Sequence, residues 1–512
     1  MLRSALRVLQ RPSGRQLITT SARAMSTTRY RSTRGGQHGL RFDEAVMQGL
    51  ATDRGLLVPE EVPKFPVGAP EIWRGLSFEE LAFEIMSLYI GPDDVPPEKL
   101  KHIINRSYAT FRERDVTPVV PITDGMHSLE LFHGPTFAFK DVALQFLGNL
   151  FEELLSKRPG HSITVVGATS GDTGSSAIHG LRGKANVECF IMYPEGRTSR
   201  TQELQMITVT DPNIHNIALG GTFDDCQAVV KACFNDAAFR DKHNLAAVNS
   251  INWARILAQM VYYVYAYLKV TPSMGKQAGS PPLVSFSVPT GNFGDILAGY
   301  YAKQMGLPVG KLIVATNKND ILHRFFSHGG DYSLDKNGVA VTLAPSMDIG
   351  VSSNFERFLF HMTGNDAAQM AKMMKNFEAT GTLNPPPEVV AKACAIMESA
   401  NVDDDEILAT IADVHARTGY TLDPHSAIGV AAARRVRPMG STAPMVCLAC
   451  AHWAKFPDAN LAALGKEKSA ALVVPEPLAS LHKLDSRVSL QPYDVPTVQR
   501  FIEQTIAKRA KA

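Results

Sequence analysis

Residues 162–181 read SITVVGATSGDTGSSAIHGL. The opening run is rich in β-branched side chains, which suit a pleated strand. Gly171 and Gly174 then interrupt it, and the residues beyond suit a helix. Residues 282–306, PLVSFSVPTGNFGDILAGYYAKQMG, follow the same order of strand, glycine turn and helix. Further strand-like runs, KLIVATN (311–317) and APMVCLA (443–449), alternate with helical stretches from Glu130 onward. The clearest helix is DVALQFLGNLFEELL (141–155), where Val142, Leu144, Phe146, Leu147, Leu150 and Leu154 recur at helical spacing. Parallel strands need crossover helices, so this alternation predicts an α/β fold built on a mostly parallel sheet. Before Glu130 the texture is mainly helical: LSFEELAFEIMSLYI (76–90) has the helical period, after Pro63, Pro66 and Pro70.

The glycine turns carry chemistry as well as topology. Glycine lets the backbone come close to a ligand, and the helix start beyond it points free N–H groups at an anion. The first loop reads Gly167, Gly171, Gly174, which is not GxGxxG, and neither loop ends in the GK[ST] of a nucleotide P-loop. Taken singly, each loop equally fits a tight turn that only packs a helix on a sheet.

A third stretch, HGPTFAFKDVAL (133–144), places Lys140 between phenylalanines and an apolar helix. Burial disfavours the charged amine and lowers its pKa. A neutral amine is a nucleophile that forms Schiff bases with carbonyls. The bland alternative is a lysine whose stem lies along the phenylalanines at a helix start. An apolar lysine together with two separate anion nests suggests one ligand bearing a phosphate and another bearing a carboxylate. Pyridoxal phosphate and an amino acid fit that combination.

Composition sets the frame. The 512 residues, 45% hydrophobic and 20% charged, suffice for two or three domains. No apolar run is long enough to span a bilayer; Ile256–Val270 is broken by Gln259 and reads as a core helix. Residues 1–29 carry Arg3, Arg7, Arg11, Arg15, Arg23 and Arg29, and the first acid is Asp43. This amphipathic, arginine-rich, acid-poor pattern predicts a mitochondrial transit peptide and a matrix location. Initiation at Met25 would give a cytoplasmic form. Without those six arginines the formal charge falls from +2 to −4, and a mildly acidic body with no basic stripe argues against nucleic acid. The six cysteines are scattered, which fits a reduced compartment. Cys447 and Cys450 form a CxxC late in a strand-like run, but with His452 they are too few for a metal site, and no metal is expected.

The order and spacing of several long motifs resemble the threonine synthases of the longer fungal and bacterial type. They are YRSTRGG (30–36), HGPTFAFKDVALQF, VVGATSGDTGSSA, VNSINWARILAQ, VPTGNFGDILAGY, ATNKNDIL and LDPHSAIGV. The resemblance implies the fold-type-II architecture of pyridoxal-phosphate enzymes. It implies an N-terminal mainly helical domain (30–112), a large cofactor-binding α/β domain (113–148 and 263–512) and a smaller inserted α/β domain (149–262). It also implies O-phospho-L-homoserine and water as substrates, threonine and phosphate as products, and a monomer or homodimer. By the same resemblance Lys140 is the Schiff-base lysine, and Gly291, Asn292, Phe293, Gly294 and Asp295 hold the cofactor. Ser170, Gly171, Asp172 and Thr173 grip substrate carboxylate and cofactor. Asn249, Ser250 and Asn252 line the substrate side, although NSIN equally reads as the cap of the helix that follows. Arg31, Arg34 and Arg255 are candidates for the expelled phosphate. Asp423, in LDPHSAIG, reads as a helix cap.

One position departs from the family. The hydroxyl residue expected against the pyridine nitrogen is replaced by Cys450, in Ala449-Cys450-Ala451-His452-Trp453-Ala454-Lys455-Phe456, and Trp453 stands where proline is usual. A thiol is the weaker donor and acceptor. The departure leaves two alternatives: a phospho-lyase releasing 2-oxobutyrate, and a non-catalytic cofactor-binding homologue.

Overall fold

The computed structural model describes residues 28–273, 281–438 and 440–509. The arginine-rich leader up to residue 27, with Met25, lies outside the described residues, as do residues 274–280.

Two sheets organise the chain. The larger has six strands in the order Met397–Asn401, Val309–Thr316, Val284–Pro289, Met445–Ala449, Met126–Glu130 and Val119–Pro121. Every neighbouring pair is parallel except the last. The runs KLIVATN, PLVSFSV and APMVCLA are thus three adjacent central strands. Met445–Ala449 is buried throughout, as a strand covered on both faces must be, which is why its sequence is an unbroken apolar run. The smaller sheet, with SITVVGA at its heart, runs Ser489–Gln491, Ile214–Leu219, Val187–Pro194, Ile163–Ala168 and Leu245–Ala246, all parallel.

The helix Trp253–Val270 is buried from Trp253 to Tyr267, so the Ile256–Val270 run is a core helix. No helix among the described residues is long and apolar enough to cross a membrane. Toward the N-terminus, Phe78–Met86 starts at a capping box: Ser77 accepts from the Glu80 N–H, and the Glu80 carboxylate accepts from the Ser77 N–H. The same region holds an antiparallel pair, Tyr30–Ser32 with Leu57–Pro59, whose strands of three residues are too short to show a period.

The division read from the sequence placed 263–512 wholly with the larger domain. The chain end differs: Ser489–Gln491 adds an edge strand to the smaller sheet, and Val498 and Ile502 of the helix Val495–Arg509 pack with Val166, Phe190 and Ile217. The small sheet needs a cover for that face, and the end of the chain supplies it.

Close helix packing sets the site. Lys140–Ser156 crosses Asp172–Leu181 where Gly148 meets Gly180 backbone to backbone; a Cβ at Gly148 would overlap the Gly180 carbonyl. This contact draws the helix that begins with Lys140 against the helix that begins with Asp172. The loops after Met126–Glu130, Val284–Pro289, Met445–Ala449 and Ile163–Ala168 all emerge at carboxyl ends of parallel strands, where such folds bind ligands.

Gly148→Ala tests the crossing. Intrinsic propensity favours alanine in a helix by about 1 kcal/mol, but overpacking costs ~1–3 kcal/mol. Overlap with backbone leaves nothing flexible to yield, so overpacking wins. The expected outcome is a lower urea midpoint and reduced activity; an unchanged or raised midpoint would show that the helices can separate freely.

Candidate active site

Lys140 opens its helix 8% exposed, among apolar neighbours. The segment before it is fixed at several points. Thr136 gives its N–H and its hydroxyl to the Asp141 carboxylate, at 2.7 Å each. Phe139 donates its N–H to Cys450 O at 2.7 Å, and His452 donates to Phe137 O at 3.1 Å. The lysine turn is therefore stitched to the segment that follows the central strand.

The Lys140 ammonium donates to Ser346 Oγ at 3.3 Å and lies 3.9 Å from Asp172 Oδ2. Asp172 has a closer cation: Lys455 Nζ is 2.6 Å from Oδ1, wholly buried, and also donates to Thr136 O at 2.8 Å. Gln202 donates to Asp172 Oδ1 at 2.9 Å. Burial works to raise the Asp172 pKa, but Lys455 and then Lys140 outweigh it and hold the carboxyl well below the usual range. Burial pulls Lys140 down; Asp172 opposes this, while Lys455 and Arg255 add to it. Lys455 is thus the closer partner of Asp172, at 2.6 Å against 3.9 Å for Lys140.

The two glycine loops flank this cluster. In the first, Gly171 has φ 147°, and a Cβ there would sit 2.5 Å from the Gln202 side chain. Thr169 Oγ1 accepts from Gly171 and Gly174, which leaves the N–H groups of Ser170, Asp172 and Thr173 without a partner among the described residues. In the second, Phe293 takes the left-handed conformation (φ 62°) at the start of Gly294–Met305. The N–H groups of Gly291 to Asp295 likewise find no acceptor among the described residues. This loop is held from behind: Ser352 donates to Gly291 O at 2.6 Å, and Asn354 donates to Asn292 O. A Cβ at Gly291 would press on Ser346 O at 3.0 Å, so the loop packs against the turn that meets Lys140.

Asp295 is buried beneath the second loop. Tyr262 and Tyr263 both donate to its Oδ1, while Oδ2 is buried with no partner among the described residues. Burial, opposed by the two tyrosine hydroxyls, pushes its pKa up to about 7. Cys450 is buried too; burial first, then Asp295 and Asp423, raise its thiol well above the ordinary value, so it stays protonated.

Ser250 meets Ser353 at 3.3 Å, beside the second loop, and Asn249 is exposed. Asn252 is a correction. It is 1% exposed, and its side chain caps Trp253–Val270 through Ala254 N and reaches Val46 O at 2.9 Å, so the cap reading of NSIN applies to it in place of a substrate contact. Of the three arginines, Arg34 is taken by Glu356 and Glu378, and Arg31 lies over the Phe360 ring. Arg255 is buried, keeps Nε unpartnered among the described residues, and is the one whose charge reaches Lys140.

Asp423 does cap its helix, through the His425 and Ser426 N–H groups. It also accepts from His425 Nδ1 at 2.8 Å, leaving Nε2 to accept from the Ser346 N–H at 3.2 Å. Sequence reasoning passed over Ser346, Gln202, Tyr262, Tyr263 and Lys455, and read His425 only as part of the helix start that Asp423 caps. Only Lys455 carried a signal: a lysine between Trp453, Ala454 and Phe456 is as oddly placed as Lys140.

The chain also matches known proteins along most of its length. The family model described as "Threonine synthase N terminus" matches residues 29–108, "Pyridoxal-phosphate dependent enzyme" matches 128–381, and "Threonine synthase, C-terminal" matches 426–502. The chain is 48% identical to a threonine synthase of Schizosaccharomyces pombe over 85% of this chain and 90% of that one. It is 45% identical to one of Saccharomyces cerevisiae over 94% and 98% respectively. The chain belongs to the threonine synthase family. A crystal structure of a PLP-bound threonine synthase from Brucella melitensis superposes with a TM-score of 0.87 at 42% identity, covering 94% of this chain and 99% of that one.

Pyridoxal phosphate fits the residues present. Unpartnered N–H groups at Gly291–Asp295 suit a phosphate, a buried lysine with lowered pKa suits its aldehyde, and an orphaned polar atom on Asp295 lies near Cys450. The family departure at Trp453 leaves the loop in place: Asn460 Nδ2 donates to Trp453 O at 2.9 Å, and Lys455 still reaches Asp172.

Lys455→Met would leave Asp172 with its charge buried and its main cation gone. Breaking such a pair typically costs ~3–5 kcal/mol. A carboxyl held below its unfolded pKa of 3.8 contributes stability above that value and loses it as pH falls. The stability gap between wild type and Lys455→Met should therefore be full at neutral pH and shrink progressively as pH falls below about 4. Urea unfolding across pH measures it; a gap that persists into acid would assign the loss to packing.

Proposed function

We propose that this chain converts O-phospho-L-homoserine and water into L-threonine and phosphate, with pyridoxal phosphate as cofactor. The observation that carries the reading is Lys140: a buried amine beside two anion-ready loops, whose neighbouring carboxylate has Lys455 as its closer cation. When bound, the cofactor supplies an electron sink for charge developing at the substrate α-carbon. Gly291, Asn292, Phe293, Gly294 and Asp295 would hold its phosphate, and Cys450 would face its ring nitrogen. Ser170, Asp172 and Thr173 would receive the substrate carboxylate through their free N–H groups, on the turn that Gly171 shapes.

Once substrate frees it, Lys140 Nζ takes the α-proton, which requires the neutral amine that burial favours. Ser346 Oγ, which accepts from Lys140 and donates toward Asp172, steadies the amine between transfers. A β-proton is removed next, and the Cγ–O bond breaks with departure of phosphate. Arg255 is the cation we assign to that phosphate. Burial pulls its pKa only to about 10, so it stays charged at neutral pH. The two protons removed return to Cγ and Cα, while water gives its hydroxyl to Cβ and its proton to the departing phosphate, which completes threonine.

The rival outcome on the same substrate is phospho-lysis to 2-oxobutyrate and ammonia, for which the Cys450 substitution is the motive. The intact Lys140 and both glycine loops oppose a non-catalytic role.

Incubation of the purified holoenzyme with O-phospho-L-homoserine, followed by NMR, decides between them. Threonine and phosphate are expected, with turnover in Lys140→Ala reduced by at least about a thousandfold, as loss of a group acting as both base and acid requires. Formation of 2-oxobutyrate, or substantial turnover by Lys140→Ala, would overturn the reading.

A further inference from the structure

Behind the lysine segment lies a cavity of about 400 Å³ that none of the residues assigned above enters. Its polar lining comes from Arg112, Gln145, His179, Arg182 and Gln205, and its apolar wall from Phe137, Pro477, Leu478 and Leu481. The volume falls in the range of small-molecule sites.

The lining is unsatisfied in a specific way. Gln145 is 6% exposed and Gln205 3%, yet Gln145 Nε2 and Gln205 Oε1 have no hydrogen-bond partner among the described residues. Leaving such a group unmet costs ~1–3 kcal/mol. Gln205 cannot turn its amide round to escape, because Nε2 donates to Thr136 O at 2.9 Å. Arg112 stacks over the Phe137 ring at 3.6 Å and donates to the carbonyls of His133, Gly134 and Pro135, but has no carboxylate partner among the described residues. Arg182, by contrast, is paired with Asp211 at 2.8 Å. His179 is neutral: burial, then Arg182, pull its pKa down to about 4. Its Nε2 faces Gln205 O at 3.2 Å, which makes Nε2 the donor and Nδ1 an acceptor.

The cavity therefore offers an unpaired cation and an unmet amide donor, an unmet amide acceptor, and an apolar wall. These are the complements of a carboxylate, an ammonium and an aliphatic side chain. We propose that this cavity is a binding site, separate from the catalytic centre, for a small α-amino acid with an aliphatic side chain. Arg112 and Gln145 Nε2 take its carboxylate, Gln205 Oε1 takes its ammonium, and Leu478 and Leu481 cover its side chain.

The site is wired to the catalytic one. Gln205 holds Thr136 O, the carbonyl that Lys455 also holds, and Lys455 pairs with Asp172. Gln202, on the same helix Arg200–Ile207, donates to Asp172 directly.

The test is calorimetric titration of the holoenzyme with L-leucine and with L-valine, with the cofactor absorbance followed in parallel. Gln145→Leu removes the unmet donor, and Leu478→Trp fills the cavity from its opposite wall. Binding of at least one amino acid without change in the cofactor spectrum is expected. Each variant should weaken it by about tenfold or more, the worth of one hydrogen bond to a charged group. No heat from either amino acid up to about 10 mM would overturn the proposal. So would binding left unchanged in both variants, or binding that alters the cofactor spectrum, since either places the amino acid at the catalytic centre.

Discussion

The buried pair between Lys455 and Asp172 is the contact on which the rest of the site depends. Asp172 opens a helix that follows a strand of the smaller sheet, and Lys455 follows the central strand of the larger one. Burying such a pair brings little net stability, because desolvation consumes most of the attraction. What it does bring is a division of labour. Asp172 is held ionised chiefly by Lys455, and its pull on Lys140 is outweighed by burial and by the second lysine's charge. A lone buried lysine beside a lone buried aspartate would form an inert ion pair.

The far end of the site works by a related economy. Asp295 is ringed by tyrosine hydroxyls rather than cations, and its pKa is pushed up to about 7, so it sits near the point of changing charge. Cys450, next to it in electrostatic reach, stays a thiol. The substitution of a hydroxyl by this thiol therefore removes a hydrogen-bonding group of normal strength without introducing a charge. The backbone around it is tied on both sides: Cys450 N donates to Ser426 Oγ and Cys450 O accepts from Phe139.

Much of this was legible in the sequence, and for local reasons. The central strands announced themselves as apolar runs because both their faces are covered, and the glycine loops because turns that tight admit few other residues. Lys140 was legible because charge among phenylalanines is out of place. Ser346 and Gln202 were not, since a serine or glutamine far along the chain carries no sign of what the fold brings against it. Lys455 carried the same sign as Lys140 but lay in a stretch read for its cysteine and tryptophan. Asn252 was drawn toward the substrate by its motif, whereas its own backbone neighbours had first claim on it as a cap. The last strand and helix were misplaced because three residues of edge strand show no period.

The central claim is that Lys455 keeps the Lys140 amine available by occupying Asp172. Its most direct test is the pH dependence of labelling of Lys140 by a small amine-reactive reagent, read by peptide mass spectrometry in cofactor-free protein. Wild-type Lys140 should titrate below the ordinary lysine value of 10.5. In Lys455→Met the titration should move upward, because the freed Asp172 then pairs with Lys140. A Lys140 that titrates like an exposed lysine in the wild type, or that keeps its lowered value in Lys455→Met, would contradict the account.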